Sequence, residues 1–346
     1  MCTLFHFTDI FKAGIWADFD SVQDPELQRL AASLPSLAMQ SRRDKTVRNY
    51  QYGYLRWKKW ASSFKEINIL PAKPHYLALY LMSLFEKAKT HAPVTLAFYS
   101  ISWVHRMAGF TDPTLTDLPK IVKEAASRVL GHGQNKKAAI TSTIIKKVVN
   151  KFVNLNSNLS DLRIATLCIL AFSGFLRYDE LCHIKFSDIV FCNDHLKIFI
   201  ESSKTDIYRD GHWVFIAALR SPYCPVSILR KYLSKVGSAI KSNEYIFRAI
   251  TRNKDVAKRA LKKSNVPLSY TTTRSILLSA FKAVGEDPSS LGTHSLRAGG
   301  ASAAASTGVE DHLFKKHGRW LSERSKDRYV TEDLRQKLFV SKNLGL

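Results

Sequence analysis

Six side chains spread over the second half of the chain have the types needed to displace a leaving group at a phosphodiester. Thr293-His-Ser-Leu-Arg297 sets His294 and Arg297 three residues apart, on one face of a helix. Trp320 follows Arg297 by 23 residues, inside Lys316-His-Gly-Arg-Trp320, and Tyr329 follows Trp320 by nine, inside Asp327-Arg-Tyr-Val330. Upstream, Arg177 stands in Ser173-Gly-Phe-Leu-Arg-Tyr-Asp-Glu-Leu181, and Lys204 lies in a polar stretch between two strand-like runs. A phenol can act as a nucleophile, and planar guanidiniums that never lose their proton can clamp charge growing on phosphate oxygens. An ammonium and an imidazole can move protons, and an indole supplies one N–H donor. Singly, each piece has an ordinary reading. A His-x-x-Arg pair is commonly a solvated helix face, a Tyr or Trp is commonly packing, and a loop Lys is commonly just hydrated. The weight lies in the set.

The charge of the chain points the same way. Its 346 residues carry 52 Lys and Arg against 29 Asp and Glu, a formal charge of +23, with 45% hydrophobic residues. That composition belongs to a folded protein, and its excess charge attracts polyanions. The basic residues recur through folded-looking segments rather than in one tail. Arg42, Arg43, Lys45 and Arg48 form one group; Lys136 and Lys137 form a second; Arg252, Lys258, Arg259, Lys262 and Lys263 form a third. Basic surface on both halves suggests double-stranded DNA held from two sides, against the plainer reading of solvated faces.

Other classes are excluded. Cys2, Cys168, Cys182, Cys192 and Cys224 are odd in number and include no C-x-x-C pair, which fits free thiols in a reducing compartment. Cys182-His183 with Cys192 and His195 match no common zinc spacing. The candidate chemistry has one acid, Glu180, among many bases, whereas metal-assisted nucleases gather carboxylates. Neither a metal nor a cofactor is expected. The longest uncharged apolar run, Ile164 to Leu176, has 13 residues and reads as a buried helix, since a membrane span needs about 20. Asp9, Lys12, Asp18 and Asp20 interrupt the first twenty residues, so no secretion signal is read there and an intracellular location is expected, in the nucleus of a eukaryote or otherwise the cytoplasm.

The elements that must position these side chains are mostly helical. Val47, Tyr50, Tyr54, Trp57 and Ala61 recur at helical spacing within 44–64, and further helices are expected over 75–88, 94–108 and 118–129, punctuated by prolines. Leu130 to Lys137, with two glycines and two lysines, is the best linker. Helices are expected over 141–152 and 159–172, then a hairpin from 195–201 and 212–218, a helix from Pro225, and several helices from Thr271 onward. The small residues Ala298 to Ala305 would let neighbouring elements approach the helix that carries His294 and Arg297. The fold class is mostly α, a small helical domain followed by a larger α+β domain with a small antiparallel sheet.

In this order and at these spacings the six residues resemble the tyrosine recombinase (phage-integrase-like) family. The resemblance covers roughly residues 140–340 by motif and extends to about residue 25 through the helical segment. It implies an N-terminal extension over 1–24, a core-binding, DNA-binding domain over 25–132 and a catalytic domain over 133–346. It implies strand cleavage and rejoining through a 3′-phosphotyrosyl intermediate, without metal. Tyr329 would be the nucleophile, Arg177 and Arg297 the phosphate clamp, Lys204 the acid for the leaving oxygen, His294 an acid/base partner, Trp320 a donor and packing surface, and Glu180 a supporting acid. His317 is the alternative to Trp320, Arg209 shares the Lys204 loop, and Tyr178 and Tyr208 are further phenols. The resemblance also implies a homotetramer on two DNA sites, with a mobile-element origin in view. The amphipathic tail over 331–346 would dock on a neighbour or on its own domain. Two other readings stand beside this one: a DNA-binding protein of the same fold without activity, and a type IB topoisomerase, which the small helical first domain disfavours.

Overall fold

The computed structural model describes residues 10–131, 137–203, 206, 210–237, 241–327, 329–330, 338 and 341–344. The chain divides into two compact units, residues 1–134 and 135–346.

The first unit is helical: α1 (Pro25–Gln40), α2 (Asp44–Ala61), α3 (Pro74–Phe85), α4 (Ala92–Ala108) and α5 (Asp117–Val129). The apolar positions of α2 pack on α4, burying Val47, Tyr54, Trp57 and Ala61, while Lys58 and Lys59 occupy its last turn, where the helix dipole favours cations. Trp57, Leu77, Leu81, Ile101 and Val104 form the centre of this core. Two helices close in where Gly53 faces Ser100, since a Cβ there would stand 2.1 Å from the serine oxygen. Residues 10–21, expected as an extension, form 3₁₀ turns on α4: Ile10 is buried and the Trp16 indole donates to the Met107 carbonyl at 2.7 Å. Helix α1 is an addition to the expected elements. Asp24 caps it by accepting from the Glu26 and Leu27 amides, yet the helix buries no residue of its own.

The second unit wraps α6 (Ser142–Phe152), α9 (Pro225–Val236), α10 (Tyr270–Ala283) and α11 (Thr293–Ser306) around α7 (Leu159–Ser173). Because α7 is covered on all sides, it is apolar all round and shows no single hydrophobic face. Asn158 and Asp161 cap its start reciprocally. Short helices α8 (Tyr178–Cys182), α12 (Asp311–Gly318) and α13 (Glu323–Asp327) complete the helical set. The sheet is antiparallel in the order β1 (Ile189–Phe191), β2 (His195–Ile200), β3 (His212–Ala217), with Leu196 opposite Ile216 and Ile198 opposite Val214 on the buried face. The expected hairpin is present; β1, with three residues, is too short to show alternation and was not anticipated. The basic run 252–263 forms an irregular excursion, closed by an Ile250–Leu261 bridge and holding one 3₁₀ turn.

Among the described residues Cys168, Cys182, Cys192 and Cys224 are free thiols, and no helix is long and apolar enough to cross a membrane.

Candidate active site

Three pieces of the second unit converge on one carboxylate. The first is the turn from α7 into α8. After Gly174 the chain passes through Phe175 at φ 46°, and Arg177 then caps α8. Glu180, at the third position of α8, reaches back to accept from the Arg177 amide at 2.9 Å and from the Arg177 guanidinium at 2.6 Å. The carboxylate is almost wholly buried, with 1% of its side chain exposed.

The second piece is α11, which carries His294 and Arg297. It lies close to its neighbours because Gly299 and Gly300 have no side chains. A Cβ on them would stand 1.9 Å from the Ile140 carbonyl oxygen and 2.0 Å from that of Phe172. Arg297 is fully buried. Its guanidinium donates to the carbonyls of Phe175 and Gly318, stands 4.0 Å from Glu180, and stacks 4.7 Å from the Trp320 ring centre and 5.0 Å from that of Tyr329. His294 sits on the exposed side of the same helix, its ring 6.3 Å from that of Tyr329.

The third piece is the end of α12 and the segment after it. Trp320 is buried against Phe175, Phe314 and Tyr329, with ring centres 6.1, 5.1 and 5.6 Å away. Its indole N–H has no hydrogen-bond partner among the described residues. Gly318 permits this fold-back, since a Cβ there would strike the Trp320 ring. His317 points elsewhere: its Nε2–H donates to the Ser173 carbonyl at 2.9 Å, and burial pushes its pKa down. Trp320 therefore faces Tyr329, and His317 faces the α7 terminus. Tyr329 is half-buried, and its carbonyl accepts from Ser302 at 3.3 Å.

Sequence spacing did not single out Arg319. It is buried, and its guanidinium donates to Glu180 at 2.8 Å and to the carbonyls of His317, Phe175 and Gly174 at 2.9, 3.0 and 3.2 Å. No spacing rule marks this residue; the only signal was a third arginine adjoining the assigned Trp. Burial would raise the Glu180 pKa, but Arg319, Arg177 and Arg297 outweigh it and hold the group at about 2. Burial, then the charge of Arg177, lowers the Arg297 pKa against the pull of Glu180. Three guanidiniums thus surround a single carboxylate whose oxygens are already bonded, and an added anion would be attracted to the remaining charge.

The other candidates are less concentrated. Lys204, Arg209 and Tyr208 lie outside the described residues, as does Lys136. Tyr178 donates its hydroxyl to the Leu268 carbonyl at 2.7 Å, and burial raises its pKa. Arg42, Arg43, Lys45 and Arg48 are exposed around the start of α2. Arg252, Lys258, Lys262 and Lys263 are also exposed; Lys258 lies 3.6 Å from Asp255, and half-buried Arg259 donates to the Asn253 carbonyl at 3.0 Å. Lys137 donates to the Ser289 carbonyl at 2.5 Å. Among the described residues no three His, Cys, Asp or Glu side chains gather as metal ligands.

Known proteins resemble this chain over most of its length. An integrase/recombinase XerD homolog of Selenomonas ruminantium is 27% identical over 309 residues, 88% of this chain and 86% of that protein. Two solved structures share the fold. XerH site-specific recombinase, bound to a palindromic difH substrate in a post-cleavage complex, superposes with a TM-score of 0.62 at 14% identity, covering 87% of this chain and 80% of that one. A lambda integrase dimer bound to a COC′ core site gives 0.54 at 18% identity, covering 90% and 82%. The family model described as phage integrase matches residues 143–335. That span holds the whole arginine cluster together with His294, Trp320 and Tyr329, and the chain belongs to the phage integrase family, the tyrosine recombinases.

Proposed function

We propose that this protein carries out site-specific DNA recombination by cleaving and rejoining strands at Tyr329. The Tyr329 oxygen attacks a backbone phosphorus, a P–O bond to Tyr329 forms as the bond to the 5′ oxygen breaks, and a 3′-phosphotyrosyl link conserves the energy for rejoining. Arg177 and Arg297 take up the charge gathering on the non-bridging oxygens. Lys204 delivers the proton that the leaving 5′ oxygen needs, and His294 exchanges a proton with the tyrosine or the phosphate. Metal ions play no part in this scheme: the one carboxylate of the cluster, Glu180, has both oxygens engaged by Arg177 and Arg319. The observation that carries the reading is the cluster of guanidiniums around Glu180, with the Arg297 fork 5.0 Å from the Tyr329 ring.

Residues 25–132 serve as a core-binding domain and 133–346 as the catalytic domain in this reading. Arg42, Arg43, Lys45, Arg48, Lys136, Lys137, Arg252, Lys258, Arg259, Lys262 and Lys263 contact phosphates, and four copies assemble on two sites, as in the lambda integrase tetramer bound to a Holliday junction. An origin in a mobile element belongs to the same proposal. A second reading, DNA binding without cleavage, is favoured by one fact: Arg297 has no exposed surface and spends two of its donors on backbone carbonyls.

A nicked suicide duplex carrying the sequences that flank the coding element separates the two. Incubated in EDTA, wild type forms a covalent protein–DNA adduct and Tyr329→Phe forms none. Adducts surviving in Tyr329→Phe would overturn the nucleophile, and tight binding without adduct by wild type would move the binding-only reading ahead.

A further inference from the structure

Arg319 occupies a position where an arginine is costly. It terminates α12 in the left-handed conformation, at φ 56°, the place where a helix ordinarily ends in glycine because a Cβ meets the following carbonyl. A side chain there is disfavoured, although Gly318 stands one residue away. Among the described residues only one other non-glycine residue has a positive φ, Phe175, and the two are bonded to each other: Arg319 donates to the Phe175 carbonyl at 3.0 Å. Backbone held this way persists when its surroundings over-determine it, and such residues concentrate at functional sites.

Two of the acceptors that Arg319 fills also lie within reach of Arg297. The Phe175 carbonyl accepts from both arginines. The Glu180 oxygen that takes Arg319 at 2.8 Å lies only 4.0 Å from Arg297. Without Arg319 that oxygen would keep a vacant lone pair beside a buried cation, and a full ion pair with Arg297 would follow. Such a pair would hold Arg297 away from any incoming phosphate.

We propose that Arg319 is a positioning residue for strand transfer: it saturates Glu180 and the 174–175 turn so that Glu180 does not claim Arg297, whose charge is kept for the scissile phosphate once the site opens. The inference rests on the function proposed above. Glycine suits the backbone at this position, so Arg319→Gly removes the side chain while relieving the strain, and Arg319→Lys keeps the charge without the fork. Single-turnover adduct formation on the nicked suicide duplex is measured for wild type and both variants, with affinity for the same DNA and thermal melting in parallel. Arg319→Gly should form adduct about a hundredfold more slowly, the scale of a misplaced clamp, with affinity unchanged, and Arg319→Lys should recover part of the rate. Adding Glu180→Gln should slow Arg319→Gly by a smaller factor than it slows wild type, because the competing acceptor is already harmful there. An Arg319→Gly protein that folds and cleaves at the wild-type rate overturns the proposal. If that variant does not fold, a folded Arg319→Lys protein of wild-type rate overturns it equally. A wild type that binds the DNA without forming adduct sinks the functional reading instead, which separates the two failures.

Discussion

Glu180 gathers the charges of the site, and its removal tests how much of the second unit depends on them. Exchanging it for glutamine leaves Arg177, Arg297 and Arg319 packed together without a counter-charge, and breaking a buried ion pair this way costs about 3–5 kcal/mol. Urea unfolding of the Glu180→Gln protein, followed through the transition of the second unit, should show a loss of that size. The acid side gives an independent reading. The folded carboxyl sits at about 2, and an unfolded glutamate at about 4.3. Its depressed pKa therefore contributes stability that is complete above about 4.3 and disappears as the pH falls toward 2. The stability difference between wild type and Glu180→Gln should shrink through that window, and a difference that stays constant would count against the ion-pair account. At this scale the sequence was legible where a spacing rule existed. Arg177, Glu180, Arg297, Trp320 and Tyr329 lie together with the His294 ring 6.3 Å from that of Tyr329, Lys204 lies outside the described residues, and Arg319 enters through a backbone conformation that no spacing encodes.

Close approach decides the element scale. The run Ala298 to Ala305 was read as a surface that lets neighbours in, and the structure puts two carbonyls against Gly299 and Gly300. Gly300→Ala would push a methyl into the Phe172 carbonyl, near the end of α7 and just before the turn that leads to Arg177. Overpacking of this kind costs about 1–3 kcal/mol, so the variant should melt several degrees lower. The hairpin was legible because β2 and β3 are rich in β-branched and aromatic residues on either side of a polar stretch, and in the structure burial alternates along β2 and from Trp213 onward in β3. The first helix was missed although Asp24 and Pro25 mark its start and Leu27, Leu30, Leu34 and Leu37 recur at helical spacing; in the structure these leucines are exposed and α1 buries none of its residues. With few packing contacts to hold it, α1 should exchange its amide hydrogens much faster than α2 in the free protein. Protection of α1 equal to that of α2 would show that the helix is held by something else.

For the whole molecule the governing quantity is its charge of +23. Each phosphate contact releases counterions and contributes about −0.9 to the slope of log affinity against log salt. If Arg42 and Arg43 make such contacts, replacing both with alanine should flatten the slope by about 1.8 and weaken every DNA sequence alike. Fluorescence anisotropy on cognate and scrambled duplexes measures this, and an unchanged slope removes these residues from the interface. The same charge gives the burial of Arg297 a meaning for fidelity. A strongly cationic protein meets long stretches of DNA that are not its target, and if Arg297 is the phosphate clamp, its lack of exposed surface shuts it away from every phosphate it passes. On that reading the Trp320 and Tyr329 rings that lie against it would have to move before it engaged one, driven by contacts elsewhere along the duplex. A sequence that fits poorly would then supply too little, so an error in address would be met by an unopened site before any strand was cut.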